Sequence, residues 1–272
     1  MDPIFRHVAA CNNAVLPGRR LPLLAAGQLI GYLQPELAPV LLQSGAVRQD
    51  GAIQIEPGQL AHVARMLADQ NAYRWRGEAF DVRADPDGPV MGQVDRGALP
   101  CLGIQAVGVH LNGLVDRPDG LHLWVARRAV ERLLDPGKLD HLVAGGVPAG
   151  LTPRETLVKE AGEEAGLSPS FLQAARHVAT IDYAMDRSDG LRRDRLHCYD
   201  LDLPQTFVPE ARDGEVEAFE LWPIQDVLDR VRGSDDFKFN VNLVLIDLFH
   251  RRGLLAYPDN TRASAAVSSS MR

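Results

Sequence analysis

Apolar residues recur with the spacing of a helix face in three stretches of this chain. The first is formed by Leu60, Val63, Ala64 and Leu67, which follow the i, i+3, i+4, i+7 pattern. Two later stretches repeat it, at Ile224, Val227, Leu228 and Val231 and at Val241, Val244, Leu245, Leu248 and Phe249. Each stretch predicts an amphipathic helix, and Gly253 is suited to end the last one.

Apolar runs around two turn sequences predict strands. The turn at 85–89 separates predicted strands 79–83 and 90–94, and the turn at 116–120 separates predicted strands 103–115 and 121–127. In the last of these, Leu121, Leu123 and Val125 are predicted to face inward and His122 and Trp124 outward. Further strands are predicted at 177–185 and 191–203. A short strand at 29–33 and a helix at 35–43 begin the chain.

This order of elements predicts two α/β domains. We expect a small N-terminal domain over residues 1–100, a second domain over residues 101–255, and a disordered tail over residues 256–272, where the sequence becomes small and polar. The aromatic residues Tyr73, Trp75 and Phe80 fit either a core or a pocket for a flat ring, and a core is the more common use of such residues.

The stretch from Thr152 to Gly166 combines a well-marked helix with an unusual concentration of acid. Thr152 is a good N-cap, Pro153 suits the first helical position, and Glu155 completes a capping box. Glu160, Glu163 and Glu164 are spaced i, i+3, i+4 on this helix. They therefore share one stripe, beside an apolar stripe of Leu157, Val158, Ala161 and Ala165 that is predicted to face a core.

Three carboxylates on one stripe repel one another, and a bound Mg²⁺ or Mn²⁺ would reverse the sign of that interaction. Upstream of the helix, an apolar strand is followed by Ala144, Gly145 and Gly146 and then Gly150. These glycines predict a loop that allows close approach of the backbone. A solvated acidic helix face is the alternative interpretation, but the capping box, glycines and strand together favour a metal site.

The stretch from Gly145 to Leu167 resembles the Nudix box, G-x5-E-x7-REUxEExGU, in which U is aliphatic. Two positions depart from the pattern, because Leu151 replaces the isolated glutamate and Lys159 replaces the arginine. The resemblance implies an α/β/α sandwich and a hydrolase of diphosphate linkages. It also implies that the Gly145 carbonyl, Glu160, Glu163 and Glu164 hold Mg²⁺ or Mn²⁺ and that Lys159 positions the acids.

Segments 96–115, 123–128, 136–151, 157–167 and 213–222 are similar to one Nudix subgroup. Its members carry an extra N-terminal domain, and some eukaryotic members are fused to thiamin pyrophosphokinase. The resemblance implies hydrolysis of thiamin diphosphate-type compounds, particularly oxidised ones, to monophosphate and phosphate. Hydrolysis of 8-oxo-dGDP and a non-catalytic ligand sensor are the alternatives.

Other candidate residues lie outside the box. Nudix domains commonly supply a late glutamate, and Glu215 and Glu217 both fit that role as metal ligands, with a solvent-exposed face as the alternative. Arg127, Arg128 and Lys138 are candidates for contacts with substrate phosphates, and an ordinary surface position explains them equally well.

Composition and net charge limit the classes of partner and the cellular compartment that we expect. A net charge of −7 argues against duplex nucleic acid or an anionic membrane as the main partner. Cys11, Cys101 and Cys198 are scattered and fit a reducing cytoplasm rather than a disulfide framework. Arg19 and Arg20 before an apolar stretch could mimic a targeting signal, but the pattern starts late and lacks a cleavage site. We therefore expect a cytoplasmic enzyme with a small-molecule diphosphate substrate, in which a homodimer is an open alternative to a monomer.

Overall fold

The computed structural model describes residues 2–131 and 134–256 of the chain. Thirteen strands are described: β1 Leu21–Ala25, β2 Gln28–Leu33, β3 Val47–Gln49, β4 Ala52–Ile55, β5 Ala79–Val82, β6 Gly92–Asp95, β7 Gln105–Arg117, β8 Gly120–Arg128, β9 Leu139–Asp140, β10 Val143–Gly146, β11 Arg176–Arg187, β12 Gly190–Asp202 and β13 Val216–Pro223. The α-helices are α1 Arg6–Cys11, α2 Ala38–Gln43, α3 Leu60–Asp69, α4 Ala98–Leu102, α5 Pro153–Ala165, α6 Pro169–Leu172, α7 Ile224–Gly233 and α8 Val241–Arg251. No described helix has the length and apolar content needed to cross a bilayer. Residues 257–272 of the predicted tail lie outside the described residues.

The N-terminal unit is built on a four-stranded sheet and a separate hairpin. The sheet has the order β2-β1-β4-β3, with β1 parallel to β4, and the hairpin pairs β5 with β6 across the predicted turn. The four apolar residues of α3 are buried against this unit, as their spacing predicts. Strands β1, β3 and β4 were not predicted, because runs of three to five residues carry too little alternation to be recognised.

The larger unit is a mixed sheet covered on both faces. Its strand order is β11-β12-β7-β8-β13, with β10 pairing with β7 and β9 with β8. Helix α5 packs on one face, where Val109, Val143 and Leu157 share a core. Helices α7 and α8 pack on the other face, where their apolar stripes meet Leu123 and Val125. These layers form an α/β/α sandwich.

Burial of both faces explains one wrong prediction. His122 and Trp124 were expected to face solvent, but they are 5% and 7% exposed. Trp124 lies in the core beneath α5, whereas Leu123 lies in the core beneath α7 and α8. Alternation along a strand assigns residues to two faces, and it cannot show that a second layer covers the polar-looking face.

The first residues of the chain pack on the larger unit. Ile4 and Phe5 are buried in the same core as α7 and α8, and Cys11 at the end of α1 contacts the core beside β11 and α8. The Arg6 guanidinium also donates to the carbonyls of Arg232 and Ser234, at 2.7 and 2.6 Å. The division at residue 100 therefore stays a prediction, and residues 3–11 contribute to the sandwich in space.

Candidate functional site

The acidic helix has the predicted ends. The Thr152 hydroxyl accepts from the Glu155 N–H at 3.2 Å, and the Glu155 carboxylate accepts from the Thr152 N–H at 2.8 Å, which together form the capping box. Gly166 ends the helix with a left-handed φ of 68°. Leu157 and Ala161 are fully buried beneath the helix. The rotation of α5 about its axis is thereby fixed, and its glutamates are placed at the edge of the core.

The three glutamates occupy different environments. Glu164 is 6% exposed, the Glu160 side chain is 15% exposed, and the Glu163 side chain is 52% exposed. Because consecutive stripe positions on a helix are rotated by tens of degrees, the stripe runs from the core at Glu164 to solvent at Glu163. Two of the three carboxylates can therefore act inside a partly closed site.

Burial changes the protonation of Glu164 strongly. Desolvation raises the pKa of its carboxyl well above the usual 4.5, and the nearby acids Asp140, Glu160 and Glu215 raise it further. One hydrogen bond acts in the opposite direction, from the Ala144 N–H to Glu164 Oε2 at 2.9 Å. A buried carboxylate with several acidic neighbours requires a compensating cation if it is to ionise at neutral pH.

Lys159 supplies part of the positive charge. Its ammonium donates to Glu160 at 2.9 Å and to Glu163 at 2.7 Å. Burial opposes the charge of Lys159, but these two hydrogen bonds hold its pKa above the usual value. Lys159 therefore lies where the resemblance expects a residue that orients the acids, and it contacts the two outer carboxylates of the stripe.

Two of the three glycines before the helix belong to a strand, in contrast to the predicted loop, whereas Gly150 lies in a turn with a φ of 81°. Gly145 and Gly146 are the last residues of β10 and pair with Val109 and Gly108 of β7. A Cβ on Gly145 would lie 2.6 Å from Glu160 Cγ. The absence of a side chain there lets Glu160 pack directly on the strand, so Gly145 serves close packing rather than a turn.

The strand register also corrects which carbonyl faces the acids. The Val147 N–H donates to the Val107 carbonyl of β7 at 2.8 Å. In an antiparallel ladder every second residue bonds to the same neighbour, so Gly145 also directs its polar backbone groups toward β7. The Ala144 N–H instead points to Glu164. Ala144, and not the predicted Gly145, presents its main chain to the acidic cluster.

The late acid of the cluster is Glu215. Ligand oxygens of Glu164, Asp213 and Glu215 lie within 4.8 Å of one another. Glu217 is exposed and lies where the pairing of β13 with β8 shifts register, between Val216 and Ala218. This register shift breaks the simple alternation of side chains along the strand, which made Glu215 and Glu217 equivalent in the sequence. Asp213 was not predicted, although its position two residues before Glu215 is a signal, since its carboxylate accepts from the Glu215 N–H at 2.8 Å.

The predicted phosphate contacts have other partners in this structure. Arg128 is 8% exposed and donates to Asp140 at 2.8 Å and to the carbonyls of Leu134 and Asp135. Arg127 donates to the Gly137 carbonyl at 3.5 Å, and Lys138 donates to the Asp235 carbonyl. Arg128 nevertheless lines a small pocket together with Glu164 and Glu215. Arg128 thus places a positive charge beside Asp140 in the wall of the site, whereas Arg127 lies on β8 and Lys138 directly precedes β9.

A buried histidine pair forms another part of that wall. His110 Nδ1 lies 2.9 Å from His141 Nδ1, and both rings are buried next to Asp140. Burial lowers the pKa of both imidazoles, to about 4 for His141, and the Lys238 ammonium lowers them further. His110, Asp140 and His141 are close enough together to hold an ion. However, Arg128 and Lys238 already neutralise Asp140. The positive charge of these two side chains favours uncharged imidazoles, and it also opposes the binding of a divalent cation.

The donor set around Glu164 fits a hard divalent cation. It consists of carboxylate oxygens from Glu164, Asp213 and Glu215. Glu160 lies near enough for its charge to act on Glu164, and the Ala144 N–H donates to Glu164. Mg²⁺ and Mn²⁺ prefer oxygen ligands of this kind, and a cation would remove the repulsion that raises the Glu164 pKa. The acid-lined edge of α5 on this α/β/α sandwich is therefore suited to hold a divalent cation.

Comparison with known proteins identifies the family. A NUDIX domain model matches residues 107–240. "Nudix hydrolase 24, chloroplastic" from Arabidopsis thaliana is 40% identical over 266 residues, covering 92% of this chain and 73% of that protein. "Nudix hydrolase 20, chloroplastic" from the same plant is 34% identical over 273 residues, with the same coverage of 92% and 73%. The chain belongs to the Nudix hydrolases and is a MutT-like hydrolase.

Among solved structures, DR0079 from Deinococcus radiodurans is similar in part. It shares 21% identity with this chain and a TM-score of 0.48, covering 62% of this chain and 97% of that one.

Proposed function

We propose that this protein hydrolyses a diphosphate linkage with the help of Mg²⁺ or Mn²⁺ held by Glu160, Glu164 and Glu215. The observation that carries the proposal is the meeting of carboxylates from two distant segments, α5 and the residues before β13, within 4.8 Å. Burial of Glu164 supports it, since an isolated buried carboxylate is costly and a cation offsets that cost. Nudix hydrolases generally use divalent ions, and their identity in this protein is part of the proposal.

The residues have distinct tasks in this mechanism. When bound, the divalent ions neutralise the diphosphate and lower the pKa of a water molecule. Glu164, which is buried, and Ala144 line the inner wall of the pocket. Lys159 holds Glu160 and Glu163 in place through its two hydrogen bonds. Glu160 or Glu215 accepts the proton of the attacking water, because both are carboxylates of the cluster itself.

We propose thiamin diphosphate-type compounds, particularly oxidised ones, as the substrate class. The support is the resemblance of five segments, from 96–115 to 213–222, to the Nudix subgroup related to thiamin pyrophosphokinase fusions. Hydrolysis of 8-oxo-dGDP is the alternative within the same chemistry.

The three free and buried cysteines support a reducing compartment such as the cytoplasm.

A substrate panel tests both the proposed metal-dependent hydrolysis and the proposed substrate class. Phosphate release is measured for thiamin diphosphate, oxidised thiamin diphosphates, 8-oxo-dGDP and ADP-ribose, each with Mg²⁺, Mn²⁺ or EDTA. We expect metal-dependent release with the highest kcat/KM for an oxidised thiamin diphosphate. Preference for 8-oxo-dGDP would refute the substrate class and retain the chemistry. Binding without turnover of any diphosphate would favour a ligand sensor.

A further inference from the structure

The N-terminal hairpin reaches the segment that follows β10, the strand whose Ala144 N–H donates to Glu164 of the candidate metal site. The Ala149 N–H donates to the Ala79 carbonyl of β5 at 2.8 Å, and the Gly150 N–H donates to Asp81 Oδ2 at 3.4 Å. Strand β5 therefore runs beside the segment that links β10 to α5. A contact with this segment can influence the geometry of the glutamates on α5, although β5 belongs to the N-terminal part of the chain.

Phe80 packs directly on Gly146 at the end of β10. A Cβ on Gly146 would lie 2.7 Å from Phe80 Cζ, and the Arg96 guanidinium carbon lies nearby at 3.6 Å. The Phe80 ring is 3% exposed, and Arg96 covers it with its guanidinium carbon 5.6 Å from the ring centre. Arg96 is itself held by Glu78 at 2.9 Å. The ring is thus fixed against the bare backbone of Gly146.

The neighbouring glycine is packed from the opposite side. On a strand, successive residues face opposite sides, so the Cβ directions of Gly145 and Gly146 diverge. The Gly145 direction points to Glu160 Cγ at 2.6 Å, and the Gly146 direction points to Phe80 Cζ at 2.7 Å. The end of β10 is therefore clamped between the acidic helix and the N-terminal hairpin.

We propose that Phe80 is a positioning residue for the metal site. By pressing on Gly146 it holds the end of β10 against Glu160, and so keeps the Ala144 main chain, Glu160 and Glu164 in one geometry. This inference rests on the proposed metal-dependent hydrolysis. It assigns to the N-terminal unit a part in building the metal site, which sequence similarity within the box does not suggest.

The test compares Mn²⁺ binding by full-length variants, measured from the electron paramagnetic resonance signal of free Mn²⁺. Gly146→Ala adds a methyl group where the Phe80 ring stands. We expect the Mn²⁺ dissociation constant of this variant to rise about tenfold or more, because changes to residues that hold metal ligands in place weaken metal binding by such factors. Phe80→Leu removes the ring tip and should also weaken binding. The double variant should bind Mn²⁺ more tightly than Gly146→Ala alone, because the clash is removed.

Val82→Ala is the matched control. Val82 is fully buried in the same strand and the same core as Phe80, so its truncation destabilises the hairpin without removing the ring. We expect its Mn²⁺ affinity to equal that of the wild type. The inference is overturned if Val82→Ala and Phe80→Leu weaken binding equally, or if Gly146→Ala is not rescued by Phe80→Leu.

Glu164→Gln separates this inference from the proposed function. If the wild type binds Mn²⁺ and Glu164→Gln does not, the metal site stands and the Phe80 variants decide the role of the hairpin. If the wild type fails to bind Mn²⁺ or Glu164→Gln binds it unchanged, the proposed metal site itself is refuted. KM for the diphosphate in Phe80→Leu should equal that of the wild type once Mn²⁺ saturates the site, since the ring acts through the affinity for the metal.

Discussion

Replacing Glu164 by Gln should separate the contribution of this residue to chemistry from its contribution to folding. The substitution keeps the shape of the side chain and removes its charge. The amide oxygen of Gln can still accept from the Ala144 N–H that now bonds Glu164 at 2.9 Å. We expect kcat/KM for metal-dependent hydrolysis to fall by at least about a hundredfold, which corresponds to about 2.7 kcal/mol of transition-state stabilisation.

Glu164→Gln should raise the stability of the metal-free protein, although it lowers the activity. The folded-state pKa of Glu164 is raised above its unfolded value near 4.5. The native state therefore holds a proton that the unfolded state has lost, and stability of the metal-free wild type falls as pH rises above 4.5. The slope contributed by one such proton is about 1.4 kcal/mol per pH unit until Glu164 ionises in the native state. Glu164→Gln lacks this loss and should be the more stable form at neutral pH without metal.

The assays are urea unfolding across pH in EDTA and initial rates with Mg²⁺ and Mn²⁺. Glu217→Gln is the matched control, because Glu217 is an exposed glutamate of β13 and its neutralisation should change neither quantity. Mn²⁺ should stabilise the wild type more than Glu164→Gln. An unchanged kcat/KM in Glu164→Gln would refute the role of Glu164 in the metal site. A metal-free stability that falls equally with pH in both proteins would refute its raised pKa.

Three further outcomes follow from the geometry. Glu215→Gln should lower kcat/KM and Mn²⁺ affinity whereas Glu217→Gln should not, and equal effects in a metal titration would contradict the assignment of the late acid. Thr152→Ala should cost about 1 kcal/mol in urea unfolding through loss of the helix cap, with Thr152→Ser as the conservative control. His141 has a folded pKa of about 4 against 6.5 unfolded, so it contributes stability that is lost as pH falls between these values. His141→Asn should flatten that part of the stability profile, and an unchanged slope would refute the buried neutral imidazole.

Local sequence information was sufficient for the acidic helix. The cap at Thr152, the stop at Gly166 and the i, i+3, i+4 spacing of the glutamates all depend on residues within one helix, and each has the expected geometry. The helices α3, α7 and α8 were predicted for the same reason, since an apolar stripe repeats within a few turns. The class of chemistry, metal-dependent hydrolysis, was suggested by the same short stretch.

Contacts between distant segments decided the rest. The sequence could not choose between Glu215 and Glu217, because the bulge in β13 that separates them depends on pairing with β8. Arg128 looked like a surface cation until its burial next to Asp140 was known. The two glycines of β10 looked like a loop, whereas packing of Glu160 and Phe80 explains why no side chain fits. Periodicity and capping act within a few residues, but burial, register and steric exclusion arise from elements that only the folded chain brings together.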